Sequence, residues 1–216
     1  RASFPLPSPE HPIDTLVMES VLATDRQANE VDYDTELERL RSWVSARDDD
    51  GGCLLALAGM GEAPEVAAAL LDAGEEVVVH EYLEPILSRW FAAAERSCPA
   101  KMFRNQRDCA HALDAGGVVI APGEHLDQGT PARMLAEPLI EDSLARIGFL
   151  NSLRHRSFAG RLLASKEGRA IKKDKRKGRV RRAAVERFVL PNHAPRWAML
   201  GAVKALKPAR VLLVHG

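Results

Sequence analysis

The stretch "GGCLLALAGMGEAPEVAAALLDAGEEVVVHE" (51–81) decides the fold. It opens with the apolar run "CLLALAG", continues as the helical segment "EAPEVAAALLDAG", which ends at Gly74, and closes with the apolar run "EEVVVHE". A short apolar run, a helix and a second apolar run predict a β–α–β unit, in which the two strands lie parallel.

The same alternation continues on both sides of this stretch. Further strands are predicted at "IDTLVMES" (13–20), "VVIAPG" (118–123), "LARIGFL" (144–150), "AVERFVL" (184–190) and Val211–Val214. Further helices are predicted within 32–52, 82–97, 107–117 and 131–142, and from about Pro195. The fold class is therefore α/β, with a mainly parallel sheet flanked by helices.

The amino-acid composition is that of a globular protein with a hydrophobic core. The chain has 216 residues, of which 46% are hydrophobic, enough for a substantial core. No run reaches the roughly 20 apolar residues of a membrane-spanning helix, so no membrane contact is predicted. The three cysteines, Cys53, Cys98 and Cys109, lack metal-type spacing, and we expect reduced core thiols in a cytoplasmic protein.

Acidic and basic residues are distributed unevenly between the two halves of the chain. Residues 1–100 hold 7 Lys or Arg against 20 Asp or Glu, and residues 101–216 hold 23 against 10. The basic segment "KEGRAIKKDKRKGRVRR" (166–182) contains ten basic residues. Such a segment either binds nucleic-acid phosphates or forms a solvated hairpin or loop, and charge alone does not separate the two. The candidate contacts are Lys172, Lys173, Lys175, Arg176, Lys177 and Arg179.

Two glycine-containing loops follow predicted strands. "AGMGEAP" (58–64) and "APGEHLDQGTPARML" (121–135) both join a strand to a helix, where backbone N–H groups can approach a ligand. Neither loop matches a P-loop or a dinucleotide fingerprint, so each is weak evidence for binding.

Three polar residues occupy positions that are typical of active sites. Glu19 ends the first strand, His215 follows the last strand, and His193 precedes the last helix. In parallel α/β folds, sites form at the carboxyl ends of strands, where histidine can bind a metal or contact phosphate. Each residue alone is as well explained by an ordinary strand end or turn, whereas the three together predict a site.

The chain resembles the β-CASP branch of the metallo-β-lactamase superfamily, zinc-dependent nucleases that process RNA and, in some members, DNA. "DTLVMES" is similar to the family segment "D-x-L-I-x-E-S-T-Y-G", and the chain end "PNHAPRWAMLGAVKALKPARVLLVHG" to "S-x-H-A-D … L-K-P-K-x-V-x-x-V-H-G-E". Three other segments resemble family motifs in the same order: "GGCLLALAGMGEAPEVAAALL" (51–71), "GGVVIAPGEHLDQGTPARMLAEPL" (116–139) and "IGFLNSLRHRSFAGRLL" (147–163).

The resemblance implies domains and site roles. Residues 36–142 would form a β-CASP cap, and 1–35 with 143–216 would form part of a metallo-β-lactamase lobe. Glu19 would support the histidines, His193 would contact the scissile phosphate, and His215 would bind zinc, with two zinc ions in the complete protein. A histidine at position 215 favours RNA over single-stranded DNA as the substrate.

The sequence also departs from the family. The defining H-x-H-x-D-H zinc cluster does not occur in 1–216, and the second motif reads "PNHAP". The missing ligands would then lie on an N-terminal segment or a partner chain, and a homodimer is left open. Two hypotheses follow: a part of a zinc-dependent ribonuclease, acting as endo- or exonuclease, or a catalytically degenerate scaffold or RNA-binding subunit of a processing complex.

Overall fold

The computed structural model describes residues 12–20, 29–48, 50–58, 61–99, 102–151, 153–173, 176–190 and 193–215, with the backbone alone for those within 172–177. The strands are β1 Thr15–Glu19, β2 Cys53–Leu57, β3 Val77–His80, β4 Phe103–Arg104, β5 Val118–Pro122, β6 Arg146–Leu150, β7 Ala170–Lys173, β8 Arg176–Val180, β9 Ala184–Phe188 and β10 Arg210–Val214. The helices are α1 Tyr33–Ser45, α2 Glu62–Asp72, α3 Glu84–Ala93, α4 Gln106–Asp114, α5 Pro131–Leu139, α6 Phe158–Ala164 and α7 Arg196–Leu206.

The chain forms two compact units. Residues 34–190 make the larger unit, and residues 1–33 with 191–216 make the smaller one. The first division lies close to the predicted boundary at 35/36, whereas the second falls at 190/191 and the sequence placed it at 142/143. Residues 143–190 stay with the middle of the chain because β6 and β9 pair into the same sheet as β2.

A six-stranded sheet forms the centre of the larger unit. Its strand order is β4-β3-β5-β2-β6-β9, and every pair of neighbours is parallel. The predicted α/β class with a mainly parallel sheet flanked by helices is confirmed. Strand β2 is buried along its whole length, as expected for an inner strand covered on both faces.

The direction of the chain reverses inside this sheet. From β2 the chain moves to β3 and then β4, and it returns to β5 before continuing to β6 and β9 on the other side. Because β–α–β crossovers are right-handed, α2 and α3 lie on one face, and α4, α5 and α6 lie on the other. The buried cluster of the second face accordingly joins Leu54, Val119 and Ile147 to residues of α4, α5 and α6.

The opposite face is closed by a tight contact at Gly148. A Cβ added there would lie 2.6 Å from Cδ2 of Leu55 and 3.3 Å from Cζ3 of Trp43 in α1. The Trp43 ring also packs edge-on against Phe188, with 5.3 Å between ring centroids. Any side chain larger than the hydrogen atom of glycine at this position would therefore require the buried Leu55 side chain to shift.

Two short elements were not predicted from the sequence. Strand β4 has two residues and α6 has seven, and elements this short give weak periodicity. Strands β7 and β8 form an antiparallel hairpin inside the basic segment, and a hairpin or loop was one of the two interpretations of that segment.

The smaller unit contains β1, β10 and α7. The two strands pair in parallel from Thr15–Arg210 to Glu19–Val214. At the start of the pair, the Asp14 carbonyl accepts a hydrogen bond from the Arg210 N–H at 2.8 Å, and the side chains form an ion pair at 2.6 Å. Register is thus fixed at the end of the ladder away from Glu19.

The three cysteines are free, and two of them lie in the core as expected, whereas the third does not. Cys53 and Cys109 are buried and Cys98 is partly exposed. Burial raises the pKa of the Cys53 thiol to about 12, and that of Cys109 to about 12 as well. Among the residues placed by the structure, no helix is long and apolar enough to cross a membrane.

Candidate functional site

Glu19 is held in place by the end of the β1–β10 ladder. Its register partner is Val214, whose carbonyl accepts hydrogen bonds from both the N–H (2.9 Å) and the Oγ (3.2 Å) of Ser20. Ser20 is buried, so the backbone around Glu19 is fixed even though its carboxylate is partly exposed. The sheet therefore presents this carboxylate at the carboxyl edge of the two strands.

His215 reaches Glu19 through an unusual backbone conformation. Side chains alternate between faces along a strand, so a further extended residue after Val214 would point away from the face of Glu19. His215 instead adopts a left-handed φ of 56°, and its Nδ1 lies 3.4 Å from Oε1 of Glu19. Histidine is among the non-glycine residues that tolerate this conformation, which recurs at functional sites.

His193 approaches the same carboxylate from the loop before α7. Its Nδ1 lies 2.5 Å from Oε2 of Glu19. The first turn of α7 is anchored nearby in sequence, where the Arg196 N–H donates to Oδ1 of Asn29 at 2.6 Å. The structure thus brings together Glu19, His193 and His215, the trio that the sequence singled out.

The two imidazoles change the ionisation of Glu19. Desolvation raises the pKa of its carboxyl, but the hydrogen bonds from His193 and His215 and the electrostatic attraction of the two rings outweigh this effect. The pKa of Glu19 therefore lies below its ordinary value. The carboxylate stays charged at neutral pH and can hold both rings.

The trio offers zinc an incomplete set of ligands. Because both Nδ1 atoms face the Glu19 carboxylate, Nε2 is the nitrogen that each ring can offer to a metal or a phosphate oxygen. A carboxylate behind a histidine is the usual support of a metal-bound imidazole. Within the described ranges, however, no group of three or more His, Cys, Asp or Glu side chains is arranged to hold a metal ion. The trio can supply one imidazole ligand that is supported by the Glu19 carboxylate. Catalytic zinc needs about three protein ligands, so the trio alone does not complete a zinc site.

Five of the six predicted nucleic-acid contacts lie on the β7–β8 hairpin. Lys172 and Lys173 belong to β7, Arg176, Lys177 and Arg179 belong to β8, and Lys175 lies outside the described residues. Only for Arg179 is the side chain described, and it forms an ion pair with Glu141 at 3.0 Å. Arg179 is therefore already neutralised by a partner on the protein.

The sequence missed a group of polar side chains at the carboxyl edge of the six-stranded sheet. Asn151 directly follows β6 with a left-handed φ of 58°, and its Nδ2 donates to Oε1 of Glu62 at 2.5 Å. His125 lies in the loop after β5, and its Nδ1 is buried. The glycine loops that contain Glu62 and His125 had been noted, but Asn151 carried no signal beyond a polar residue after an apolar strand.

No protein-family model matches the chain, and no curated protein matches it either. The proposed function therefore rests on the chemistry of the described residues.

Proposed function

We propose that this chain is part of a zinc-dependent β-CASP nuclease that hydrolyses phosphodiester bonds, with RNA favoured over single-stranded DNA. The observation that carries the proposal is the shared carboxylate of Glu19, which contacts Nδ1 of His193 and Nδ1 of His215. Glu19 is the positioning residue, His193 is the catalytic residue at the phosphate, and His215 is the metal ligand.

The chemistry follows from the orientation of the rings. Glu19 accepts a hydrogen bond from the Nδ1–H of each imidazole, which fixes the tautomer and makes both Nε2 atoms more basic. Nε2 of His215 would hold zinc, and Nε2 of His193 would contact the scissile phosphate. Zinc, when bound, supplies an activated hydroxide and neutralises charge at phosphorus.

The smaller unit, built from both chain ends, would belong to the partial metallo-β-lactamase lobe. The larger unit, 34–190, would contain the β-CASP cap, proposed for 36–142, together with residues 143–190, which the resemblance placed in the lobe. All three members of the trio belong to the smaller unit. This is the unit in which the resemblance puts the metal chemistry.

Exposed apolar side chains support the need for further residues around the smaller unit. Leu212 and Leu213 are 55% and 61% exposed, although they lie on opposite faces of β10. Parallel strands are normally covered on both faces. We infer that residues beyond those described, from an N-terminal segment or a partner chain, cover this surface and supply the remaining zinc ligands.

The second candidate is a catalytically degenerate scaffold or RNA-binding subunit of a processing complex. The observation that favours it is the absence of a complete metal-holding group among the described side chains. In that case the trio would be a hydrogen-bonded relic, and any RNA affinity would come from basic residues.

Hydrolysis of a labelled RNA separates the two candidates. The native protein, purified with everything that accompanies it, is incubated with single-stranded RNA and with DNA of the same sequence, with and without zinc. The nuclease proposal expects zinc-dependent cleavage of RNA that His193→Ala abolishes and His111→Ala, at an exposed histidine of α4, leaves intact. RNA binding without cleavage under any of these conditions supports the scaffold.

A further inference from the structure

An open groove of about 290 Å³ runs between α4 and α5 on one face of the six-stranded sheet. Its floor is made of Leu113, Leu135 and Leu139, which are buried. Met134 lines its wall and is 50% exposed, although methionine is among the residues that are most often buried. The groove is therefore an apolar surface that the described part of the chain leaves uncovered.

Two charged residues of α4 line the groove toward its two ends. Arg107 lies in the first turn and Asp114 is the last residue, about 10.5 Å further along the helix axis. Neither side chain forms a hydrogen bond or an ion pair with another residue that the structure describes. Both charges also oppose the helix dipole, which favours acids at the amino end and bases at the carboxyl end. The acid of the first turn, Asp108, is held by the side chain of Asn105. A partner that places an acid beside Arg107 and a base beside Asp114 would thus stabilise both ends of α4.

A second copy of α4 carries the required charges in the required order. When two identical helices pack antiparallel about a two-fold axis, Arg107 of one copy faces Asp114 of the other, and Asp114 faces Arg107. The midpoint of this arrangement falls between positions 110 and 111. The small side chain of Ala110 at this point lets two helices approach closely.

The apolar part of the groove lies at the level of this midpoint. Nε2 of Gln106 donates to the Pro131 carbonyl at 3.4 Å, so the first residues of α4 and α5 lie side by side. Both helices run in the same direction, because each of them connects parallel strands of the same sheet. Four residues further on, Ala110 is therefore level with Leu135. Met134 then lies close to the two-fold axis, where it meets Met134 of the other copy.

We propose that this groove is the interface of a homodimer, in which α4 and α5 of two copies pack face to face and antiparallel. The two Met134 side chains fill the facing grooves, and the pairs between Arg107 and Asp114 close both ends. An apolar centre with a charged rim is the usual anatomy of a protein interface. All of these residues belong to the larger unit, so the dimer does not rest on the proposed nuclease activity.

Sedimentation velocity on the full chain, over a series of concentrations, measures the association. The unmodified chain should dimerise. Arg107→Asp alone and Asp114→Arg alone should each raise the dissociation constant at least about tenfold, because each substitution places like charges at both ends of the interface. Arg89→Asp is the matched control, since Arg89 is exposed on α3, on the opposite face of the sheet, and it should leave the dissociation constant unchanged.

Mixing the two single variants distinguishes a self-complementary interface from any other. Each variant repels its own copies, whereas the acidic face of Arg107→Asp matches the basic face of Asp114→Arg, so an equimolar mixture should form a heterodimer. Both substitutions agree with the dipole of α4, and circular dichroism should show no loss of helix in either variant. A loss of the dimer then reports on the interface and not on unfolding. An unmodified chain that stays monomeric up to its solubility limit, a dimer that neither substitution weakens, or a mixture that stays monomeric would each overturn the proposal.

Discussion

Nδ1 of His193 lies 2.5 Å from Oε2 of Glu19, although 174 positions separate the two residues in the sequence. The same carboxylate holds Nδ1 of His215 at 3.4 Å through its other oxygen. One acid from the first strand thus orients two histidines from the chain end, and this relationship is the basis of the proposed function.

The charge on Glu19 stabilises the native state in a pH-dependent way. Its pKa is lowered in the folded protein, so the stabilisation is fully present above the ordinary value of 4.5 and is lost as the pH falls through the folded value. We expect Glu19→Gln to lower the melting temperature at pH 6 and to have no effect at strongly acidic pH. The measurement is thermal unfolding of both proteins between pH 6 and pH 3. A difference in melting temperature that is the same throughout this range would show that the carboxylate is not held by the histidines. Glu95→Gln is the control for the loss of one negative charge.

Replacing His215 and replacing His193 should have different effects on zinc binding and on turnover. In the zinc-loaded protein, His215→Ala should lower zinc affinity by at least about 100-fold, since even supporting residues of metal ligands contribute 10–100-fold. His193→Ala should retain zinc and lower turnover by about 10²–10⁴-fold. Zinc content and single-turnover cleavage are measured on the same preparations. Equal zinc loss in both variants, or in neither, would contradict the assigned roles.

The basic hairpin should control the salt dependence of RNA binding. Replacing Lys172, Lys173, Lys175 and Arg176 by Ala should flatten the plot of log affinity against log salt by up to about 3, at roughly 0.7 for each lost contact to single-stranded phosphate. Replacing Arg41 and Arg89, which lie outside the hairpin, is the control and should change the slope little. An unchanged slope in the fourfold variant would leave only the solvated hairpin as an interpretation.

The packing at Gly148 predicts a specific loss of stability. Gly148→Ala places a methyl group 2.6 Å from Cδ2 of the fully buried Leu55, and we expect it to lower the free energy of unfolding by about 1–3 kcal/mol. Chemical denaturation measures this loss. Leu55→Val shortens the opposing side chain, so the double variant should be more stable than the sum of the single effects predicts. Strict additivity would mean that the two side chains do not compete for the same space.

Much of the fold could be predicted from the sequence because most elements carry strong periodicity. The run Cys53–Leu57 is continuously apolar and became a strand that is buried along its whole length. The seven-residue helix Phe158–Ala164 and the strand Phe103–Arg104 were missed because they are too short for periodicity to be detected. The strand order also had to come from the structure, because nothing local in β5 records that it pairs with β2 rather than β4.

The candidate site was predicted in part. Position at a strand end was enough to select Glu19 and His215, and the structure brings them together with His193. The left-handed backbone of His215, which makes its contact with Glu19, has no signature in the sequence. Asn151 and His125 were missed for a related reason: a buried polar atom without a partner is a property of packing between loops that lie far apart in the chain.

Metal content tests the central claim most directly. The native protein is purified without chelator, together with everything that accompanies it, and its zinc is measured by elemental mass spectrometry. The proposed nuclease predicts about two zinc ions for each copy of this chain, reduced in His215→Ala and retained in His193→Ala. A preparation without zinc would contradict the account and leave the trio as a hydrogen-bonded remnant in a scaffold.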